Sequence, residues 1–199
     1  PSAVALRHQI GQLWQTDLGD IARAVETYRE VLALDAAYQP TLDALDGLVH
    51  GEAEPETAAQ VLEPVYEQSF AWEKLIDLYE VMVKHAEDPY RRLELLHRIA
   101  DLREHKLDDS RAAFEAHGRA LQEDSGDEIA VSNLERLAAE IDGWAALAEL
   151  YEGELDSLLD PMRQTEMGLR LARAYEEELG RPEKAIEHFN RVIAADPDN

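Results

Sequence analysis

The sequence predicts an all-α protein, a right-handed α-solenoid of about eleven helices arranged in antiparallel pairs. Three observations carry that expectation. Apolar residues recur at helical spacing, as in Leu95, Leu96, Ile99 and Leu102, and again in Trp144, Leu147, Ala148 and Tyr151. No stretch of useful length alternates with period two. The chain also repeats itself at an offset of 72 residues, the length of two helical hairpins.

The individual helices follow from their end signals. Ser2, Asp20, Asp88 and Asp160 each stand before a helical stretch and can accept from its free backbone N–H groups. Pro89, Pro161 and Pro182 suit the first helical position, where a missing N–H costs nothing. Gly51, Gly126, Gly143 and Gly180 mark stops. In order, these signals place helices over 3–17, 20–34, 40–49, 55–68, 70–85, 89–105, 108–123, 127–139, 142–157, 161–178 and 182–195. Pro64 is expected to kink or end the fourth. The connections are short, so consecutive helices should pack antiparallel. No Gly/Ser-rich linker divides the chain, and the one composition shift is the acidic turn Gly51-Glu-Ala-Glu-Pro55. One continuous domain over 1–199 is therefore expected. The start at Pro1 and the stop at Asp196-Pro197-Asp198-Asn199 read as a piece of a longer protein.

The repeats interleave. Leu18-Gly19-Asp20 with Ala24 and Tyr28 matches Leu179-Gly180-Arg181 with Ala185 and Phe189, and a third copy starts at Leu107 with Ala113 and His117. In the helices before these copies Ile10, Ile99 and Leu171 correspond. A second set pairs Trp72 and Tyr79 with Trp144 and Tyr151. The first unit is 17 residues longer than the second, which places an extra short helix and an irregularity near 40–68. Ala24 and Ala185 are read as points of close helix crossing, with Tyr28 and Phe189 filling the space beside them.

This pattern resembles the tetratricopeptide repeat family, in the degenerate form found in bacteria. Leu18-Gly19, Ala24 and Tyr28 carry the resemblance in the first pair, and Leu179-Gly180, Ala185, Phe189 and Pro197 in the last. Trp72 with Tyr79 and Trp144 with Tyr151 resemble the aromatic positions of degenerate members. There are departures. The first helix of a pair is one residue longer than the family standard, with Trp14 and Tyr175 ten residues before the small Ala; His117 replaces the aromatic; and no proline follows Asp35 or Asp124. The resemblance implies a non-catalytic scaffold that binds a protein or peptide in a concave groove.

Composition narrows the chemistry. With 43 Asp+Glu against 19 Lys+Arg the net charge is −24, which repels phosphate backbones and argues against nucleic acid as a partner. There is no cysteine, so a thiol nucleophile, a disulfide framework and a Cys-ligated metal are excluded. No apolar run approaches the ~20 residues that span a membrane. No Gly-rich phosphate loop or nucleophile–base arrangement is present, and neither a cofactor nor catalysis is expected. Arg outnumbers Lys by 15 to 4, a bias of GC-rich bacterial genomes. A cytoplasmic location is expected, with any targeting signal outside this stretch.

The candidate partner-binding residues come from the groove face that the resemblance implies for the first helix of each pair. They are His8, Gln12 and Gln15; then Glu94, His97, Asp101, Glu104 and His105; then Leu169, Arg173, Glu176 and Glu177. Glu94 and His97 have a metal-ligand spacing, but no second Glu-x-x-His matches it. The same residues lie opposite Leu95, Leu96, Ile99 and Leu102, so a solvated polar face is the competing reading. Arg173 stands alone between acids, where a basic clamp for a peptide carboxylate would need several cations. A basic or amphipathic partner fits this lining. Trp14, Trp72 and Trp144 are read as core. The alternative function is a structural spacer that self-associates by stacking repeat ends.

Overall fold

The computed structural model describes residues 2–51 and 55–195. The acidic turn at 52–54 and the segment with Pro197 lie outside the described residues. The described residues form eleven α-helices: α1 (Ala3–Thr16), α2 (Ile21–Leu34), α3 (Gln39–Val49), α4 (Pro55–Gln68), α5 (Trp72–His85), α6 (Pro89–His105), α7 (Ser110–Glu123), α8 (Glu128–Ile141), α9 (Trp144–Leu155), α10 (Pro161–Arg173) and α11 (Pro182–Ala195). A π-helical turn, Ala174–Glu178, continues α10. No strand occurs among the described residues. The all-α solenoid class expected from periodicity is the observed one.

The caps work as the sequence indicates. Ser2 accepts from the backbone N–H of Ala5, Asp20 from Arg23, Asp88 from Tyr90 and Asp160 from Met162. Asp109 and Asp127 do the same for α7 and α8. Each such cap is worth about 1 kcal/mol.

The repeat is written into the backbone as well. Gly19, Asp108 and Gly180 occupy equivalent positions and all have left-handed φ, at 66°, 56° and 59°. Around them the N–H groups of Leu18, Leu107 and Leu179 bond back to the carbonyls of Leu13, Leu102 and Ala174. The N–H groups of Asp20, Asp109 and Arg181 reach Trp14, Arg103 and Tyr175. The second set has its own left-handed pair, Phe70 and Asp142, both with φ 56°. Asp142, not Gly143, is thus the residue that turns the chain after α8. Gly143 has φ −97° and begins α9.

Two compact units divide the chain, residues 1–91 and 92–199. In the first unit α1 packs on α2, α3 on α4 and α4 on α5, while α2 touches both α3 and α4. This double contact is how the extra helix is accommodated. Ala24, Tyr28, Leu45, Leu62 and Leu75 are at or near full burial. α1 packs tightly on α2 at Gly11, where an added Cβ would lie within van der Waals overlap of Tyr28 Cε1, 2.4 Å away. α4 runs through Pro64 to Gln68 and does not end there.

In the second unit α7 packs on α8, α8 on α9, α9 on α10 and α10 on α11. Leu96, Leu121, Leu134, Leu147 and Leu171 are buried. Ala113 and Ala185 are buried as close-crossing positions should be, but Phe189 is only half-buried where Tyr28 is fully enclosed.

Candidate binding groove

In the second unit α8, α9 and α10 enclose an open groove of about 450 Å³. Its lining comes from Glu128 and Glu135 on α8, Trp144 and Tyr151 on α9, Glu166, Leu169, Arg170 and Arg173 on α10, and Ala174, Glu177 and Glu178 in the π turn. Positions 166, 170, 173 and 177 follow one another at helical spacing, which is why they share one wall. Glu128 and Glu135 are seven apart and face them from α8 for the same reason.

Arg170 ties the walls together. Its guanidinium donates to Glu135 Oε1 at 3.0 Å and to Glu128 Oε2 at 3.1 Å. The Tyr151 hydroxyl is 3.4 Å from the same Glu135 oxygen. Burial, followed by the Glu135 charge, pushes the Tyr151 phenol well above its ordinary value, so it stays protonated and a donor. This tyrosine–glutamate pair repeats 72 residues earlier, where the Tyr79 hydroxyl donates to Glu63 at 2.7 Å. Glu166, Glu177, Glu178 and Arg173 make no ion pair among the described residues. The lining holds five glutamates and two arginines, so three negative charges are left over. Trp144 and Leu169, both half-buried, are its apolar surface.

Of the sequence-derived candidates, Leu169, Arg173 and Glu177 meet in this groove. Glu176 is exposed beside it and is not part of its lining. On α6, Glu94 pairs with Arg98 at 2.8 Å and His105 lies 3.6 Å from Asp101. Glu104 is bound by Arg136 at 2.8 Å, and that hydrogen bond holds its carboxyl below the ordinary range. His97 Nε2 sits 2.6 Å from Asp127 Oδ2, the carboxylate whose other oxygen caps α8. In the first unit His8 is buried, with Nδ1 2.9 Å from Thr41 Oγ1 and its ring stacked on Tyr28. Gln15 accepts from the Tyr28 hydroxyl at 2.7 Å, and Gln12 is exposed. Among the described residues no group of three or more acids and histidines is placed to hold a metal ion, and no helix is long and apolar enough to cross a membrane.

The three tryptophans correct the sequence reading. None is core; each is half-buried. Trp14 lies under the Arg23 guanidinium at 4.7 Å, Trp72 meets the edge of Phe70, and Trp144 lines the groove. A rim aromatic and a core aromatic have the same helical spacing, so periodicity alone does not separate them.

The first unit has a groove of its own, about 460 Å³, between α3 and α5 over Tyr66. Asp43, Asp46, Asp77 and Glu80 line it together with Lys74 and Lys84, so its charge is mixed. Burial, with Asp46 and Asp43 adding to it, pushes the Tyr66 phenol up to about 12.

Paired helices, recurrent left-handed turns and a cleft between successive pairs define a helical repeat protein. Tetratricopeptide repeat models match residues 6–38 and 166–199, the first and last pairs. These two helix pairs are assigned to the tetratricopeptide repeat family. No relative among the curated proteins matches it. Similar solved structures include YrrB, described as a tetratricopeptide repeat protein with an unusual peptide-binding site, at 16% identity and TM-score 0.38 over 97% of this chain and 86% of that one. They also include MamA, at 18% identity and TM-score 0.39 over 98% and 92%. A protein of Bacteroides ovatus ATCC 8483 is similar at 14% identity and TM-score 0.47 over 98% and 99%. Tetratricopeptide repeats generally serve as protein-interaction scaffolds, which bind proteins or peptides and are as a rule non-catalytic.

Proposed function

We propose that the groove between α8 and α10 is the partner site, and that it takes a basic, amphipathic protein segment. One observation carries the reading. Glu166, Glu177 and Glu178 are uncompensated carboxylates around an apolar floor of Trp144 and Leu169. Lysine or arginine side chains of a partner would meet the three acids, and its apolar residues would cover the floor. Arg173 adds selectivity, since it repels a cation placed directly over it and favours a segment with an acidic or neutral residue there. Glu176, exposed on the next turn, extends the acidic rim.

Titration of Trp144 fluorescence with a lysine-rich amphipathic peptide tests this, beside the variant Glu166→Gln/Glu177→Gln/Glu178→Gln. These three side chains are exposed, so the variant should fold normally. Rim ion pairs contribute roughly 0.2–1 kcal/mol each, so the affinity should fall by about 3- to 100-fold. It should also lose most of its salt dependence. Equal affinity of both proteins, or equal binding of an acidic peptide, would reject the acidic-groove reading.

A further inference from the structure

The strongest feature outside the second unit's groove lies in the first unit, at Tyr66. Five tyrosines are buried among the described residues, and in four the hydroxyl has a side-chain partner. Tyr28 donates to Gln15, Tyr79 to Glu63 and Tyr175 to Glu152, each at 2.7 Å, and the Tyr151 hydroxyl lies 3.4 Å from Glu135. Tyr66 is only 5% exposed, yet its hydroxyl makes no hydrogen bond to any described residue. Nor is that hydroxyl sealed in, since it opens at the floor of the groove between α3 and α5. Asp46, and after it Asp43, add to the effect of burial in raising the phenol, so both carboxylates lie within electrostatic reach of the hydroxyl.

Tyr175 shows what would complete such a site. There the Lys184 ammonium donates to the tyrosine hydroxyl at 2.9 Å and to Glu152 at 3.2 Å, while the hydroxyl donates to the same glutamate. Tyr66 has the acceptors of that arrangement without its cation. Lys74 stands over the ring, 5.7 Å from its centroid, and does not bond to the hydroxyl. Gln39 occupies one oxygen of Asp43 at 2.6 Å. The His50 ring, 3.7 Å from the Asp46 carboxylate, is bonded to the Asp46 backbone carbonyl. No lysine or arginine among the described residues pairs with either aspartate. The groove's four carboxylates also outnumber its two lysines, and Leu42 on α3 and Val81 on α5 give it apolar walls.

We propose that the groove between α3 and α5 holds a lysine side chain of a partner protein segment, its ammonium bonded to the Tyr66 hydroxyl and to Asp43 and Asp46. The aliphatic stem of a lysine covers Leu42 and Val81, and its ammonium carries three donors for three acceptors. Tyr66, protonated at neutral pH, accepts from the ammonium and is free to donate to an aspartate, as Tyr175 does to Glu152. A guanidinium is a flat fork suited to a single carboxylate and matches three separate acceptors less well. The groove, at about 460 Å³, is larger than one side chain and has room for the backbone that carries it. The inference stands independently of the reading of the second unit's groove.

Calorimetric titration of the whole chain tests it, using a peptide with one central lysine between apolar residues and the same peptide Nε-acetylated. The chain carries Glu166→Gln/Glu177→Gln/Glu178→Gln throughout, so that the second unit's groove does not contribute. In that background the lysine peptide should bind and the acetylated peptide should not. Tyr66→Phe removes a hydroxyl with no partner, so circular dichroism should show an unchanged thermal midpoint, while affinity falls by about 3- to 10-fold. Asp43→Asn/Asp46→Asn, at two exposed positions, should weaken binding by about 10-fold. Equal affinity of the acetylated peptide, or equal affinity of Tyr66→Phe, would overturn the proposal. Binding that is present in the wild type and abolished in the triple-glutamine background would overturn it too, and would leave the second unit's groove as the site.

Discussion

Gly11→Ala sets two well-measured effects against each other, and the structure decides the sign. Gly11 lies inside α1, where alanine is favoured over glycine by about 1 kcal/mol. On propensity alone the change stabilises. The new Cβ, however, would stand 2.4 Å from Cε1 and 2.7 Å from Cδ1 of Tyr28. Those atoms need to retreat by roughly 1 Å to reach ordinary contact. Tyr28 has no room to do so, being fully buried and pinned by its hydroxyl to Gln15 at 2.7 Å. Overpacking of this kind costs about 1–3 kcal/mol, and loss of the hydroxyl bond adds about 1 kcal/mol. The net expectation is destabilisation by about 1–3 kcal/mol. Gly47→Ala is the matched control, since its Cβ would meet nothing within 4 Å in α3. That variant should gain about 0.5–1 kcal/mol. Urea unfolding followed by tryptophan fluorescence measures both, because Trp14 and Trp72 lie in the unit that holds the two glycines. If Gly11→Ala stabilises as much as Gly47→Ala, the close-crossing argument is wrong.

Three further outcomes follow from the same coordinates. Burial, with His97 adding to it, depresses His117 from 6.5 to about 4, so this imidazole is held neutral in the fold. Its folded value lies below its unfolded one, so its contribution is complete above pH 6.5 and is lost as pH falls through about 4. The difference between wild type and His117→Phe in thermal stability should thus change by up to about 3 kcal/mol over that window, and a constant difference would refute the assignment. Trp144→Ala should cost about 1–2 kcal/mol, less than the 3–5 kcal/mol of a fully buried aromatic, while removing most peptide binding; calorimetric unfolding beside peptide titration separates the two effects. Asp108→Gly should stabilise by about 0.5–1 kcal/mol, because the exposed Asp108 holds φ 56° where the equivalent Gly19 and Gly180 adopt it without a Cβ. An unchanged midpoint in urea would mean that this aspartate bears no strain.

The helices were legible because each is over-determined. At α2, Asp20 caps the N-terminus, Val25, Tyr28 and Leu32 mark the buried face, and Gly19 supplies the turn before it. Independent local signals agree, and agreement across levels is what fixes an element. The 17-residue difference between the two units was legible by subtraction, and the span it falls in is occupied by α3 and α4. Asp142 and Phe70 were not legible as left-handed residues. Gly143 is sterically better suited than Asp142, nothing in the sequence singles out Phe70, and only the back-bonds from Gly143 to Ala138 and from Ala71 to Tyr66 reveal where the turn falls.

The groove was half legible, for a reason that lies in its construction. Its α10 wall is a single helical face, so Leu169, Arg173 and Glu177 could be found by spacing along one helix. The facing wall comes from α8, and Trp144 and Tyr151 come from α9, so their convergence depends on how three helices stack. Spacing along one helix carries no information about that. Repetition supplies part of what is missing. The Tyr151–Glu135 pair recurs at Tyr79–Glu63, so a glutamate sixteen residues before a tyrosine marks where two successive helices meet. Glu128 then follows seven residues before Glu135 on the same face. Arg170 is the residue whose role no periodicity reveals. It offsets one of the two α8 glutamates; the other, with Glu166, Glu177 and Glu178 set against Arg173, makes up the three remaining negative charges. In the proposed reading selectivity therefore rests on exposed side chains that cost the fold little to change, while Arg170, which bonds α10 to α8, holds the groove's shape.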